Sequence, residues 1–364
     1  MKKLLLLLLL FYITCSCQTS FEKLDSTIQA AIQDSIFPGA SVLVGSKNNI
    51  IYKNSYGNYT YDTSSPEVKD NSLFDLASVT KAFGTNFCIM KLVDEGKLNI
   101  NDPVAKYLPE FGQNGKEKVL VKDLLIHESG LKAYHPPVEG DTRLGLLDTI
   151  KALPCQYETN SKSVYSCLNF VTSMMVVEAI TNKPMYKYYD EKFVEPLGLK
   201  RTMFTPSDEF KSECVPTTPE LQGVVHDPLA RALDGLSGNA GLYSTTEDLS
   251  VLCQLLLNKG TYNGERYLKE ETINKFIKKN SDRSSRALGF DTRSEEGHAT
   301  SGKYFSSGTF GHLGYTGTSI WIDPVREIFV VFLTNRVYPD DTKSIRKVRP
   351  VVHDAVIISL EGEK

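Results

Sequence analysis

Ser78 and Lys81 stand three residues apart in Ser78-Val79-Thr80-Lys81, a spacing that brings an amine beside a hydroxyl on one face of a helix. A serine so placed is a nucleophile if the amine takes its proton. Burial in a cleft is expected to lower the lysine pKa and fit it to that task. Backbone N–H groups and the dipole at a helix start also favour developing negative charge. The spacing alone does not single out Ser78, since it recurs at Ser20–Lys23, Ser129–Lys132 and Ser344–Lys347. Context does: the apolar, extended Leu73-Phe74-Asp75-Leu76-Ala77 precedes it and a long amphipathic pattern follows. On this motif alone, a helix-capping serine followed by a surface lysine is an equal reading.

Two further stretches supply partners. Tyr165-Ser166-Cys167 leads into a helical pattern, so Tyr165 sits at a loop-to-helix junction, where a phenol near a cationic lysine can relay protons to a leaving group. By itself Tyr165 is more simply a core or rim aromatic. Gly311-His312-Leu313-Gly314-Tyr315 runs into an apolar strand pattern. Its glycines let a substrate carbonyl approach the backbone, and His312 is expected to offer a donor or positive charge, although a lone histidine is more often structural. No G-x-S-x-G elbow occurs, which disfavours the alpha/beta-hydrolase route.

The elements that must position these groups follow from periodicity. Leu24, Ile28, Ile32 and Ile36 recur every four residues, a helical stripe closed by Phe37-Pro38-Gly39. Residues 40–45 and 50–54 read as a hairpin, and residues 319–322 and 328–333 as two strands near the other end. Helices are expected over 81–95, closed by Gly96, and over 170–181, 248–258 and about 347–360, the last despite Pro350. Strands at both ends with helices between them predict an α+β protein. Its antiparallel sheet is built from both chain ends, with helices flanking it and a helical lobe inserted, and the site lies in the cleft between the lobes.

The ordered set Ser-x-x-Lys, Tyr-Ser-x and His-x-Gly resembles the serine beta-lactamase and penicillin-binding protein superfamily, and most closely the class C-like, beta-lactamase-related serine hydrolases. Landmarks matching in order are FPGASVLVG from Phe37, FDLASVTK, LLIHESGL (124–131), VVHDPLA (224–230), GLSGNAGLYSTTEDL (235–249), GHLGYTGTSIWIDP (311–324) and LTNRVYP ending at Pro339. The resemblance implies the beta-lactamase/transpeptidase-like fold over residues 18–364. It makes Ser78 the acylated nucleophile, Lys81 its activating partner and Tyr165 the proton relay. It assigns His312, Gly314 and Tyr315 to the substrate-binding third element, with the Ser78 and Tyr315 N–H groups as oxyanion donors. Such donors are typically worth roughly 3 kcal/mol each.

Two positions depart from the pattern. Cys167 stands where the family usually carries Asn or Asp, and a thiol is a weak partner for a substrate amide. That puts amide and beta-lactam recognition in question more than acyl-enzyme chemistry. Thr159-Asn160 replaces a frequent Pro-Gly turn. Structural roles are expected for His127 and for His226-Asp227, core packing for Trp321, and no function for His135, His298 or His353.

Composition excludes other classes. With 41 basic and 44 acidic residues mixed along the chain, the net charge of −3 gives no footprint for nucleic acid. No cofactor or metal is expected, because the cysteines are irregularly spaced and lack a C-x-x-C pair. Met1-Lys2-Lys3 followed by an apolar run from Leu4 to Ile13 is too short to span a bilayer and fits a signal peptide over residues 1–17. Ser16 before Cys17 suits a lipoprotein-type site and a lipid anchor at Cys17, although the leucine or valine usual three residues earlier is missing. The expected location is the periplasm or cell envelope.

The expected activity is a serine hydrolase acting on amide or ester bonds of small molecules or peptides. D-alanyl peptides of peptidoglycan come first, then esters, then beta-lactams. The alternative from another class is a penicillin-binding sensor that acylates with little turnover.

Overall fold

A computed structural model describes residues 20–294 and 300–361. The expected signal segment, its cysteines Cys15 and Cys17, and His298 lie outside these residues. Apolar alternation at the N-terminal end forms β1 (Gly39–Ser46) and β2 (Ile50–Gly57), joined by a tight turn. Three short strands, β3 (Phe74–Asp75), β4 (Met203–Phe204) and β5 (Leu242–Ser244), make a small sheet in the order β3-β5-β4. A lone hairpin, β6 (Thr261–Tyr262) and β7 (Glu265–Arg266), stands apart from it. Then come β8 (Asp291–Thr292), β9 (Phe310–Leu313), β10 (Ser319–Asp323) and β11 (Ile328–Thr334).

The large sheet is antiparallel, in the order β2-β1-β11-β10-β9-β8. The two chain ends meet at its centre, where β1 pairs with β11 from Ala40 opposite Thr334 to Ser46 opposite Ile328. Both strands are buried throughout apart from Ser46, because helices cover both faces. Side chains alternate with period two. Val42, Val44, Val330 and Phe332 pack with Leu24 and Ile28 of the helix Glu22–Gln33 and with Val352 and Val356 of the helix Val348–Glu361. Leu43, Val331 and Leu333 face the other way, into the larger core shared with the helical part. Pro350 is accommodated because it falls in the first turn of its helix, where no intrahelical N–H bond is lost.

The expected helices are present with shifted ends, and one differs in kind. The segment after Ser78 opens with a π-helical turn, Lys81–Thr85, before the α-helix Asn86–Asp94, and Gly96 adopts the left-handed φ of +70° expected of it. The helix Cys167–Thr181 begins three residues before its apolar stripe, so Tyr165 stands just outside the Ser166 cap. The extended stretch expected over 73–77 shrinks to β3, since Ala77 turns to φ 45°.

Candidate active site

Ser78 sits on the sharp turn between β3 and the helical segment, and Lys81 lies one turn further on, its side chain fully buried. Lys81 Nζ donates to Ser78 Oγ at 2.8 Å and to the Asn239 carbonyl at 2.9 Å. Asn239 is held by Ser237 Oγ on its Oδ1 at 2.7 Å and by its own Nδ2 donating to Asp227 Oδ1 at 3.1 Å. Asp227 in turn caps the short helix Pro228–Ala232 through the Ala230 N–H. Asp227 therefore takes a structural role in the shell that aims a carbonyl at Lys81, while the His226 N–H bonds to Asp75.

Tyr165 joins this pair: Lys81 Nζ lies 5.0 Å from its ring centroid. The His127 ring lies tilted beside it at 4.5 Å and the His312 ring at 6.3 Å between ring centres. The Arg286 guanidinium carbon is 5.2 Å from the same centroid. Three stretches distant in sequence thus converge. Asn169, two residues beyond Cys167, is buried and engaged away from Lys81. Its Oδ1 accepts from Ser129 Oγ at 2.6 Å, and its Nδ2 faces His127 Nδ1 at 3.2 Å.

Those bonds fix the imidazoles. His127 Nδ1 also accepts the Ser166 N–H at 3.1 Å, so in the neutral ring the proton belongs on Nε2. His312 is the opposite tautomer, since its Nδ1 lies 2.8 Å from the Leu313 carbonyl, which only accepts. Its Nε2 is therefore an acceptor. Burial, reinforced by the charges of Lys81 and Arg286, holds His312 well below the usual histidine range. The donor or positive charge expected of His312 is corrected accordingly: the ring is neutral.

Lys81 also departs from expectation. Burial does work to lower its pKa, but its interactions with Cys167, Tyr165 and Asp227 outweigh that, and the ammonium is held above its ordinary value. The lowering of the Lys81 pKa expected from burial is thus reversed by its neighbours. Cys167 opens its helix with its N–H on the Ala133 carbonyl at 2.8 Å and lies near Lys81.

The third element forms the turn between β9 and β10. The Gly314 N–H donates to the Thr318 carbonyl at 2.7 Å, and Arg349 donates to the carbonyls of Gly314, Gly317 and Thr318. A Cβ at Gly314 would stand 1.9 Å from Thr318 Oγ1 and 2.5 Å from the Leu76 carbonyl, so only glycine fits. Thr316 and Thr318 donate to the carbonyls of Asp75 and Leu76 at 2.8 and 3.1 Å, which ties this turn to the nucleophile's loop. Among the described residues, neither the Ser78 nor the Tyr315 N–H has a partner. The Tyr315 ring is exposed, stacks near His226 at 5.9 Å and bonds to Asp341.

Arg286, Asn239 and Arg349 are the contributors that sequence reasoning missed. Asn239 fell within a quoted landmark. Arg286 and Arg349 carry no spacing signal, because each acts through space on a distant element.

The beta-lactamase family profile matches residues 24–352. A protein of Salmonella schwarzengrund (strain CVM19633), provisionally named D-alanyl-D-alanine carboxypeptidase, is 32% identical over 371 residues, covering 91% of this chain and 85% of its own. Among solved structures, EstCE1, described as a hydrolase with promiscuous acyltransferase activity, is similar with a TM-score of 0.76 and 22% identity, covering 93% of this chain and 98% of its own. A penicillin-binding protein homologue from Caulobacter crescentus gives a TM-score of 0.76 and 22% identity, covering 93% and 97%. At such identities the structural likeness speaks to the fold, which agrees with the sheet-and-helical-lobe architecture expected from sequence.

Proposed function

The chain belongs to the beta-lactamase family and is a serine hydrolase, and from that premise we propose that it cleaves D-alanyl peptides of the cell wall through an acyl-enzyme on Ser78. The observation that carries the assignment is the contact of 2.8 Å between Lys81 Nζ and Ser78 Oγ, with Tyr165 beside the same amine.

Lys81 and Tyr165 work with one proton between amine and phenol. The neighbours of Lys81 outweigh the opposing effect of burial and keep that proton on the amine. The Tyr165 oxygen then accepts the Ser78 proton as Oγ bonds to the substrate carbonyl carbon. The oxyanion that forms is met by the Ser78 and Tyr315 N–H groups. Tyr165 passes its proton to the leaving amine or alcohol as the scissile bond breaks. In the second half-reaction water gives its proton to Tyr165 as its oxygen bonds to the acyl carbon, and Tyr165 returns that proton to Ser78 Oγ as the acyl–oxygen bond breaks and the acid leaves.

The D-alanyl reading is supported by the 32% identical relative's name and by the basic-then-apolar N-terminal segment, which would bring the protein to the envelope with a lipid anchor at Cys17. A carboxylesterase is the second reading, favoured by Cys167, which offers a substrate amide only a weak partner. The test compares the native protein and Ser78→Ala on a D-Ala-D-Ala peptide, a chromogenic ester and a fluorescent penicillin. Turnover of the peptide by the native protein alone supports the first reading, and ester turnover without peptide turnover the second. Stable labelling without turnover points to a sensor. Equal reaction of both proteins defeats the role of Ser78.

A further inference from the structure

We propose that Asp75 is a positioning residue for the nucleophile, its buried carboxylate clamping the strained Ala77 peptide that carries Ser78. The inference rests on the reading of Ser78 as the acyl-forming group.

Ala77 lies at φ 45°, a region that glycine enters freely and alanine does not. It immediately precedes Ser78, so relaxation there would swing the hydroxyl away from Lys81. One carboxylate holds it. Asp75 Oδ1 accepts the Ala77 N–H at 2.8 Å, and Oδ2 accepts the His226 N–H at 2.7 Å. The Asp75 carbonyl takes the Thr316 hydroxyl at 2.8 Å, which binds the same residue to the turn that carries the Tyr315 N–H. Asp75 thus joins three segments that must keep a fixed relation for a carbonyl to sit between nucleophile and oxyanion donors.

The carboxylate is 2% exposed, and no ion pair reaches it among the described residues. His226, Asp227 and Arg231 lie near it from one side, Cys214 and Tyr243 from others. Burial pushes its pKa up to about 6, against the pull of its two N–H donors. A charge kept at that disadvantage needs a reason that asparagine could not serve. An amide has one acceptor oxygen, and its NH2 would confront the second backbone donor.

The measurement is the initial burst of p-nitrophenol from p-nitrophenyl acetate, with folding checked by far-UV circular dichroism. Native protein, Asp75→Asn, Ala77→Gly, the double variant and Ser78→Ala are compared. Asp75→Asn is expected to acylate roughly ten- to a hundredfold more slowly with KM little changed. Adding Ala77→Gly, which removes the strain the clamp opposes, is expected to recover about tenfold or more. A purely structural role would not be rescued by glycine at the neighbouring position. A native rate for Asp75→Asn, or a folded double variant no faster than the single, overturns the inference. Should Asp75→Asn alone not fold, a double variant within about tenfold of native supports the clamp, and a slower one overturns it. A Ser78→Ala protein that still gives the burst defeats the reading of Ser78 and this inference with it. A silent Ser78→Ala beside a fast Asp75→Asn sinks the clamp alone.

Discussion

The Arg286 guanidinium carbon lies 5.2 Å from the centre of the Tyr165 ring, while the same side chain is ion-paired to Asp291 in β8. The sheet edge thereby presents a second cation to the phenol that Lys81 already faces. Replacing Arg286 by Met keeps the stem and removes the charge. A cation–π contact of about 0.5–2 kcal/mol corresponds to a roughly two- to thirtyfold fall in kcat. Steady-state kinetics on a chromogenic ester will read it, and an unchanged kcat would remove Arg286 from the proton relay.

Lys81→Met leaves Ser78 Oγ and the Asn239 carbonyl without their donor. Loss of a positioned proton-transfer partner costs about 10²–10⁴ in rate. Rapid-quench acylation should show that fall in a protein with native circular dichroism, and a drop of less than tenfold would mean that the amine is not part of the chemistry.

Gly314→Ala places a methyl 1.9 Å from Thr318 Oγ1 and 2.5 Å from the Leu76 carbonyl. The turn must shift, and the Tyr315 N–H with it. An oxyanion donor is worth about 10²–10³ in kcat, whereas overpacking costs about 1–3 kcal/mol of stability. Kinetics and urea unfolding on the same variant separate the two effects. Native kcat would show that Tyr315 does not serve as a donor.

Cys167→Asn restores an amide side chain beside Lys81. One neutral hydrogen bond of about 0.5–1.5 kcal/mol should raise peptide turnover relative to ester turnover by roughly two- to tenfold. The ratio of kcat/KM values for a D-Ala-D-Ala peptide and a matched ester tests this, and an unchanged ratio would mean that position 167 does not touch the substrate amide.

His353 is buried with Nε2 on Ser319 Oγ at 3.0 Å, and burial, aided by Arg349, lowers its pKa to about 3. The unfolded chain binds the extra proton first, near the ordinary 6.5. The stability His353 confers is therefore complete above that value and is lost progressively as pH falls toward 3. Between pH 7 and 5 the loss is about 2 kcal/mol. Urea unfolding of native protein and His353→Gln at both pH values isolates it, because the opposite contribution of Asp75, whose pKa is raised, is common to both. The native advantage should shrink by that amount, and a constant difference would show that the imidazole is already charged in the fold.

Much of the architecture was legible because it rests on local periodicity. The alternation in residues 40–45 and 328–333 appears as β1 and β11 paired at the sheet centre, and Leu24 and Ile28 face the core as their spacing required. Ends were less legible. The helix after Tyr165 starts at Cys167 because Ser166 takes an extended backbone there, a feature without periodicity. The π-turn at Lys81–Thr85 and the left-handed Ala77 left no trace in the residue pattern, since each is imposed by contacts from other segments.

The order of its motifs determined where a nucleophile, an amine, a phenol and a glycine-bearing strand had to be sought, because residue type and spacing are properties of the chain. Tertiary structure alone decided the charge each group carries. Lys81 keeps its proton against burial through neighbours such as Asp227, distant in sequence, and His312 loses its own through burial and the charges of Lys81 and Arg286. Electrostatic energy depends on distance through space and on the water excluded along the way, and neither quantity is written in the order of residues.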